Sequence, residues 1–342
     1  MRDTGRRSFI QGLAGVSAAG MLGAAWHVRA AQTQAWPARP IKLVVTFPPG
    51  GSSDIVARVL APALAEKLGQ SVVIDNKPGA GSSIGAQIVA HSANDGYTLL
   101  VSNSAALSIA PSLLQSPGYD PLRSFEHLAY IGAVPTVFAV HPSVPVNSLS
   151  ELVSWIKEQP ALVAFGSGGA ASVGHLVGEQ FAQTLKLSME HVPYRGAGPM
   201  RADLLSGHIK LAIDALPQNI ALHKQGRLKL LALTSPRRVA QALTSPRRVA
   251  QAPAVPSVAE LGLAQLVSEN FVGISAPAGL PRALAERIAS AVRQISARPE
   301  FAQTLEAQGF VTRDMESKAF TQLIADQHLA WGDIAKKTGA KL

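Results

Sequence analysis

Four times along this chain an apolar run that reads as a strand ends in a glycine-rich turn and passes straight into the start of a helix. Lys42 to Arg58 (KLVVTFPPGGSSDIVAR) is the first: Leu43, Val44 and Val45 form the strand, Pro48-Pro49-Gly50-Gly51 the turn, and Ser52-Ser53-Asp54 the helix opening. Val72-Val73-Ile74 leads through the turn Asn76 to Gly85 into a helix at Ala86 to Ala90. Val163-Ala164-Phe165 leads through Gly166 to His175 into Leu176 to Leu185, and Met189 to Pro193 leads through Tyr194-Arg195-Gly196-Ala197-Gly198 into Met200 to Leu205. Strands alternating with helices in this way predict parallel sheets covered by helices, an α/β fold. In such sheets ligands sit at the carboxyl ends of the strands, where these turns belong. Each turn brings the free N–H groups and the positive dipole end of a helix to a place where glycine lets a ligand approach the main chain, which favours an anion. Taken singly, each unit is equally an ordinary turn capped by Ser or Asp.

The segments between them complete two lobes. Ile55, Val59, Leu60, Leu64 and Leu68 recur at helical spacing, and Gly69 ends that helix. Tyr97 to Ser102 is a strand ending at Asn103-Ser104, and Lys210 to Ile213 is one ending at Asp214. Ile131 to Val140, broken by Pro135, reads as the first crossover between lobes, and Phe271 to Pro277 as the second. Ser148 with Glu151 three residues on forms a capping box for Leu149 to Lys157. Arg282 to Ser296, Pro299 to Gln308 and Ala319 to Lys336 are amphipathic helices expected to pack back on the first lobe. Lobe 1 is thus expected over 36–138 and 271–342 and lobe 2 over 139–270, with a hinge of two crossings over a cleft where the glycine turns meet. A length of 342 residues suits two such units.

Composition removes several chemistries. The chain has no cysteine, which excludes disulfides, zinc–thiolate sites and cysteine nucleophiles. Its formal charge is +9, but Arg2, Arg6, Arg7 and Arg29 against Asp3 put part of this in the first thirty residues. The remaining basic residues are scattered among few aromatics, so no nucleic-acid surface is expected. Gly79-Ala80-Gly81 starts like a dinucleotide motif, but Gly85 falls one position late, and no Lys-Ser or Lys-Thr follows either early turn; no cofactor is expected. H-E-x-x-H is absent and the nine histidines are dispersed, so no metal and no catalytic residue is assigned, and a secreted hydrolase is the weaker alternative. At the start, Arg6-Arg7 precede an apolar run from Leu13 to Trp26, and Val28-Arg29-Ala30 with Ala31 offers small residues for cleavage. Residues 1–30 therefore read as an export leader of the twin-arginine kind, too short and glycine-rich for a spanning helix. One further feature is a tandem decamer: Ala232 to Gln241 recurs unchanged as Ala242 to Gln251, read as a lengthened surface loop in lobe 2.

The segments WPARPIKLVVTFPPGGSSD, NKPGAGSSIGA, DGYTLL, FGSGGAASVGHL, VPYRGAGPMRADLLSGHIKLAID, APAVPSVAELG and SAPAGLP together resemble the extracytoplasmic solute receptors of the tripartite tricarboxylate transporters, the Bug receptors. The resemblance implies the two-lobed type II periplasmic binding protein fold. It also implies capture of a small organic acid (a di- or tricarboxylate, amino acid or aromatic acid) in the interlobe cleft, partly through bridging waters; the chain is expected to be a monomer. Delivery would be to integral membrane permease subunits in the periplasm; a ligand sensor for a signalling partner is the alternative. Carried over by motif, the first lobe would contribute Phe47, Pro49, Gly50, Gly51, Ser52, Asp54, Gly81, Ser102, Asn103 and Ser104. The second would contribute Ser167, Gly168, Ala170, Ser172, His175, Tyr194, Arg195, Gly196 and Asp214. The chain departs from the family pattern at Thr46, where members often carry Pro, in using Ala or Ser at some customary glycines, and in the tandem decamer.

Overall fold

Residue by residue, β1 (Ile41–Val45) shows why the first sheet forms where it does. Four of its five side chains are fully buried apolar groups, so both faces must be covered. It pairs in parallel with β2 (Val72–Asn76) on one side and β3 (Thr98–Asn103) on the other. α1 (Ser52–Leu68) and α2 (Ser83–Ala90) make the crossovers. α1 stops where expected: Gly69 takes a left-handed φ of 74° and its N–H returns to the Ala65 carbonyl. The structure, a computed structural model, describes residues 36–235 and 254–342, and Arg39–Leu342 form one unit. The expected leader, and the decamer residues from Pro236 to Gln251, lie outside the described residues; Ala232 and Leu233 of the first copy complete a strand of the second sheet.

The first sheet has six strands, ordered β11-β4-β10-β3-β1-β2, with β4 (Phe125–Val134), β10 (Asn270–Pro277) and β11 (Val311–Thr312) beyond β3. The second has five, ordered β7-β6-β8-β5-β9: β5 (Thr136–Val140), β6 (Val163–Ser167), β7 (Met189–Pro193), β8 (Leu211–Ala215) and β9 (Lys229–Leu233). The chain passes from β4 in one sheet to β5 in the other across Pro135, which has no N–H to give either ladder. It returns between β9 and β10. The sheets are mixed rather than purely parallel: β10 is antiparallel to β3 and β4, and β5 to β8 and β9. Each of these two strands has just entered its sheet from the cleft, so it must run away from the edge at which its neighbours end. β4 begins at Phe125, ahead of the expected Ile131. His127 interrupts the apolar run but is buried, with its ring nitrogens 2.8 Å from Ser275 Oγ and 3.0 Å from the Pro121 carbonyl.

The short α3 (Ala110–Leu113) follows β3; around the second sheet lie α4 (Leu149–Glu158), α5 (Val173–Leu185), α6 (Ala197–Ser206) and α7 (Ile220–Lys224), and α8 (Arg282–Ser296) and α9 (Pro299–Glu306) belong with the first. Half of the capping box on α4 forms as expected: Ser148 Oγ accepts from the Glu151 N–H at 3.2 Å, while Glu151 Oε2 accepts from Asn147 N–H at 2.7 Å, one residue earlier than the motif requires. The last helix, α10 (Ser317–Thr338), differs from expectation. Phe320 and Ile324 pack into the first lobe with Val44, Leu100 and Phe271. Trp331 and Ala335 instead join the core of the second lobe with Phe138, Phe165, Phe181 and Ile213. At 1.5 Å per residue a 22-residue helix is long enough to reach both.

Candidate functional site

Three of the four glycine turns meet in one cavity between the sheets. It is lined from the first lobe by Phe47 to Ser53, and from the second by Gly168, Ser172 to Gly174, Arg195 to Pro199, Ile213 to Ala215 and Gln218. Ala105, Thr136 and Asn270 complete it. Its volume of about 130 Å³ suits a small organic ion rather than a drug-sized ligand, for which sites run to roughly 300–1,000 Å³.

The first-lobe wall is the β1–α1 turn. Gly51 at the N-cap has no side chain to spend on the helix amides, and the first intrahelical bond is Ile55 N–H to the Gly51 carbonyl at 3.0 Å. Of the first-turn amides, that of Ser52 is taken by Gln218 from the opposite lobe, and that of Ser53 is left without an intrahelical acceptor on the cavity side. Asp54 braces this turn from beneath. Its carboxylate accepts from the Gly50 N–H (2.9 Å), Arg58 Nε (2.7 Å) and Asn76 Nδ2 (3.0 Å), and Asn76 also donates to the Phe47 carbonyl (2.9 Å). Burial works against its charge, but the Arg58, Gly50 and Asn76 donors outweigh it and hold the carboxyl below its ordinary range. Asp54 is thus a brace for the turn, off the cavity wall.

The second-lobe wall is built from the β6–α5 and β7–α6 turns. Ser172 caps α5, accepting from His175 N–H at 3.2 Å, and its hydroxyl donates to Ser167 Oγ at 3.1 Å. Gly196, at a φ of 102°, sits so close to the opposite lobe that a Cβ there would lie 3.0 Å from Pro48 Cγ. Arg195 is exposed, and no carboxylate among the described residues pairs with it. Gln218 follows β8. Its amide is oriented so that the oxygen accepts from Ser52 N–H across the cleft (3.0 Å) and the nitrogen donates to the Ala215 carbonyl (3.1 Å), each atom meeting a complementary partner. Asp214 is the last residue but one of β8, with Asn219 Nδ2 at 2.9 Å and Arg201 Nη1 at 3.5 Å from its Oδ2.

A second, outer groove of about 430 Å³ opens beyond the Pro48–Gly196 approach, and Phe47, Gly168, Arg195 and Gly196 border both spaces. Gly81, Ala170 and Tyr194 line this groove and not the inner cavity. Tyr194 turns its hydroxyl to Asp203 at 2.7 Å.

Several residues expected at the site face elsewhere. Ser102 lies in a buried chain of hydrogen bonds running through Ser275 and His127 to Pro121. Asn103 donates to Thr46 Oγ1 (2.8 Å) and accepts from Ala106 N–H (3.0 Å), capping a π-helical turn at Ala105–Ile109. Ser104 accepts from Phe271 N–H (3.0 Å) and lies 3.0 Å from Gln327 Oε1, so it ties β3 to β10 and α10. Ser167 and His175 belong to a buried cluster in which the His175 and His191 rings stack 3.9 Å apart and Ser167 Oγ lies 2.7 Å from His191 Nε2. All five side chains brace the strands and turns behind the wall. Thr136, Gln218 and Asn270, by contrast, line the cavity but were not expected there. They carry no glycine-turn signature and come together only through the two crossings. The chain also carries a match to G-x-S-x-G at Gly81-Ser82-Ser83-Ile84-Gly85, which corrects the expectation that no nucleophile-elbow motif occurs. Ser83 is buried with its hydroxyl donated to the Ala80 carbonyl at 2.8 Å, which is not the exposed nucleophile of such an elbow.

The family described as "Tripartite tricarboxylate transporter family receptor" matches residues 56–340. Protein BugT of Bordetella pertussis is 35% identical over 308 residues, covering 90% of this chain and 91% of that protein. The solved structure of Rhodopseudomonas palustris Rpa4515 with adipate superposes with a TM-score of 0.83 at 30% identity, covering 90% of this chain and all (100%) of that one. MatC from the same organism, with bound malate, gives a TM-score of 0.79 at 26% identity over 87% of this chain and 99% of that one. The chain belongs to the tripartite tricarboxylate transporter receptor family.

Proposed function

We propose that this chain is a periplasmic receptor that holds a small carboxylate between its lobes and presents it to the permease of a tripartite transporter. The observation that carries the reading is the meeting of three helix beginnings, those of α1, α5 and α6, in one small cavity between opposing sheets. Open amides at helix starts favour a carboxylate. In this reading the ligand's carboxylate lies against the Ser52–Ser53 turn. The Val173 N–H at the start of α5, the Thr136 hydroxyl and the Asn270 side-chain amide complete its shell, and Arg195 takes a distal carboxylate at the passage to the outer groove. The adipate and malate bound by the two relatives are acids of this size class. Family membership and the Arg6-Arg7 leader support export to the periplasm.

Calorimetric titration of the purified chain with C4–C6 dicarboxylates, tricarboxylates, amino acids and aromatic acids tests it. The expected result is saturable binding of at least one acid at a single site. Arg195→Ala should weaken a dicarboxylate by about tenfold or more, the scale of one charge-assisted hydrogen bond of roughly 1.5–3 kcal/mol. Silence from every organic acid, in heat and in thermal shift, refutes the reading.

A further inference from the structure

A cavity suited to an anion also carries one carboxylate of its own: among the residues lining it, Asp214 is the acidic one. It is 7% exposed, at the carboxyl end of β8. Its two side-chain supports, Asn219 and Arg201, both approach Oδ2. Asn219 makes a full hydrogen bond at 2.9 Å. Arg201 stands off at 3.5 Å, and its Nη1 is buried without a hydrogen-bond partner. Arg201 therefore balances the charge of Asp214 at a distance, and the Ala215 N–H also donates to the carboxylate; a carboxylate offers about four acceptor sites, so room for one more donor remains. The Gln218 amide beside it is spent on Ser52 and Ala215.

From this geometry we infer that Asp214 is a specificity-determining residue: it accepts a hydrogen bond from a hydroxyl or ammonium group on the bound acid, so that the ligands are hydroxy- or amino-carboxylates. The inference rests on the carboxylate-receptor reading above and narrows it. Selection works from both sides. A donor-bearing acid satisfies the Asp214 oxygen. A bare acid offers it a methylene, which leaves a buried acceptor unpaired, or a second carboxylate, which sets like charges together. The small cavity volume leaves little room to turn a bare acid away from that wall.

The test is calorimetry on the full chain with matched sets: succinate, malate and aspartate; glutarate, 2-hydroxyglutarate and glutamate; propionate, lactate and alanine. Within whichever set binds, the hydroxy or amino acid should bind at least tenfold more tightly than its bare counterpart. Asp214→Asn should bring that ratio towards one, mainly by weakening the donor-bearing acid. The wild-type ratio stands even if the variant does not fold, which thermal denaturation reports. Bare acids binding within twofold of their donor-bearing partners overturn the inference, as does an unchanged ratio in folded Asp214→Asn. In either case the receptor reading survives, because an acid has bound. If no acid in any set binds and the broader screen is also silent, both fall.

Discussion

Three histidines show how single residues set the conditions under which this fold persists. His127 and His175 are buried and His191 half-buried. Burial lowers the His127 pKa to about 4. It also lowers those of His175 and His191, and for His191 the stacked His175 ring adds to the effect. Glu179, 3.9 Å from His175 Nε2, does not reverse this, because burial raises its own pKa. A base whose folded pKa lies below its unfolded value of about 6.5 takes up its proton first in the unfolded chain. The contribution of each is therefore fully present above pH 6.5 and is lost as pH falls, towards 4 for His127 and His175 and towards 3 for His191. The denaturation midpoint should drop across that window, and His127→Gln should flatten the drop. A midpoint that holds steady from pH 7 to 4.5 would show that the rings are charged inside the fold at no cost. The same scale shows what the sequence could disclose. Phe47, Gly50, Ser52, Ser172, Arg195 and Asp214 line the cavity and were legible, because a glycine turn or strand end is a local pattern. Thr136, Gln218 and Asn270 were not, since their place depends on two distant crossings. Ser102, Asn103 and Ser104 do not line it, and a strand end beside a cavity and one beside a buried helix look alike in sequence.

At the scale of the element, α5 is positioned by what it lacks. A Cβ at Gly174 would lie 2.0 Å from the Ile213 carbonyl oxygen, and one at Gly178 would lie 2.1 Å from the Phe165 ring. The helix can approach the sheet this closely only with glycine at both positions, and that approach sets its first turn, with Ser172 and Val173, against the cavity. Two effects compete in Gly174→Ala. Helix propensity favours alanine by about 1 kcal/mol. Overpacking costs typically 1–3 kcal/mol, and here the clash is with main chain that cannot rotate away. The clash should win. The variant should unfold at lower denaturant and bind its carboxylate more weakly, as the α5 start is pushed off the wall. A midpoint equal to or above wild type would show that the helix shifts freely. The sequence announced this helix late, at Leu176 instead of Val173, because Gly174, the glycine that the packing requires, reads as part of the glycine-rich turn before it.

For the whole molecule, the question is what couples the two lobes. The chain crosses between them twice, and at the cleft they touch where Gln218 meets Ser52 and Gly196 meets Pro48. The long helix α10 adds a third tie on the far side, anchored by Phe320 and Ile324 in one core and by Trp331 and Ala335 in the other. Its amphipathic pattern was legible, but not that one stripe serves two cores, because periodicity shows which face is buried and not against what. A ligand gripped from both walls favours the geometry in which the walls approach, and α10 limits how far they can part. Trp331 is 4% exposed, so Trp331→Ala should cost about 3–5 kcal/mol in chemical denaturation, the usual range for a buried tryptophan. If α10 is a strap, the variant should also scatter X-rays with a larger radius of gyration than wild type in the absence of ligand, and saturating ligand should recover part of the difference. A less stable variant with unchanged dimensions in both states would make Trp331 an ordinary core residue and leave the two crossings to carry the hinge.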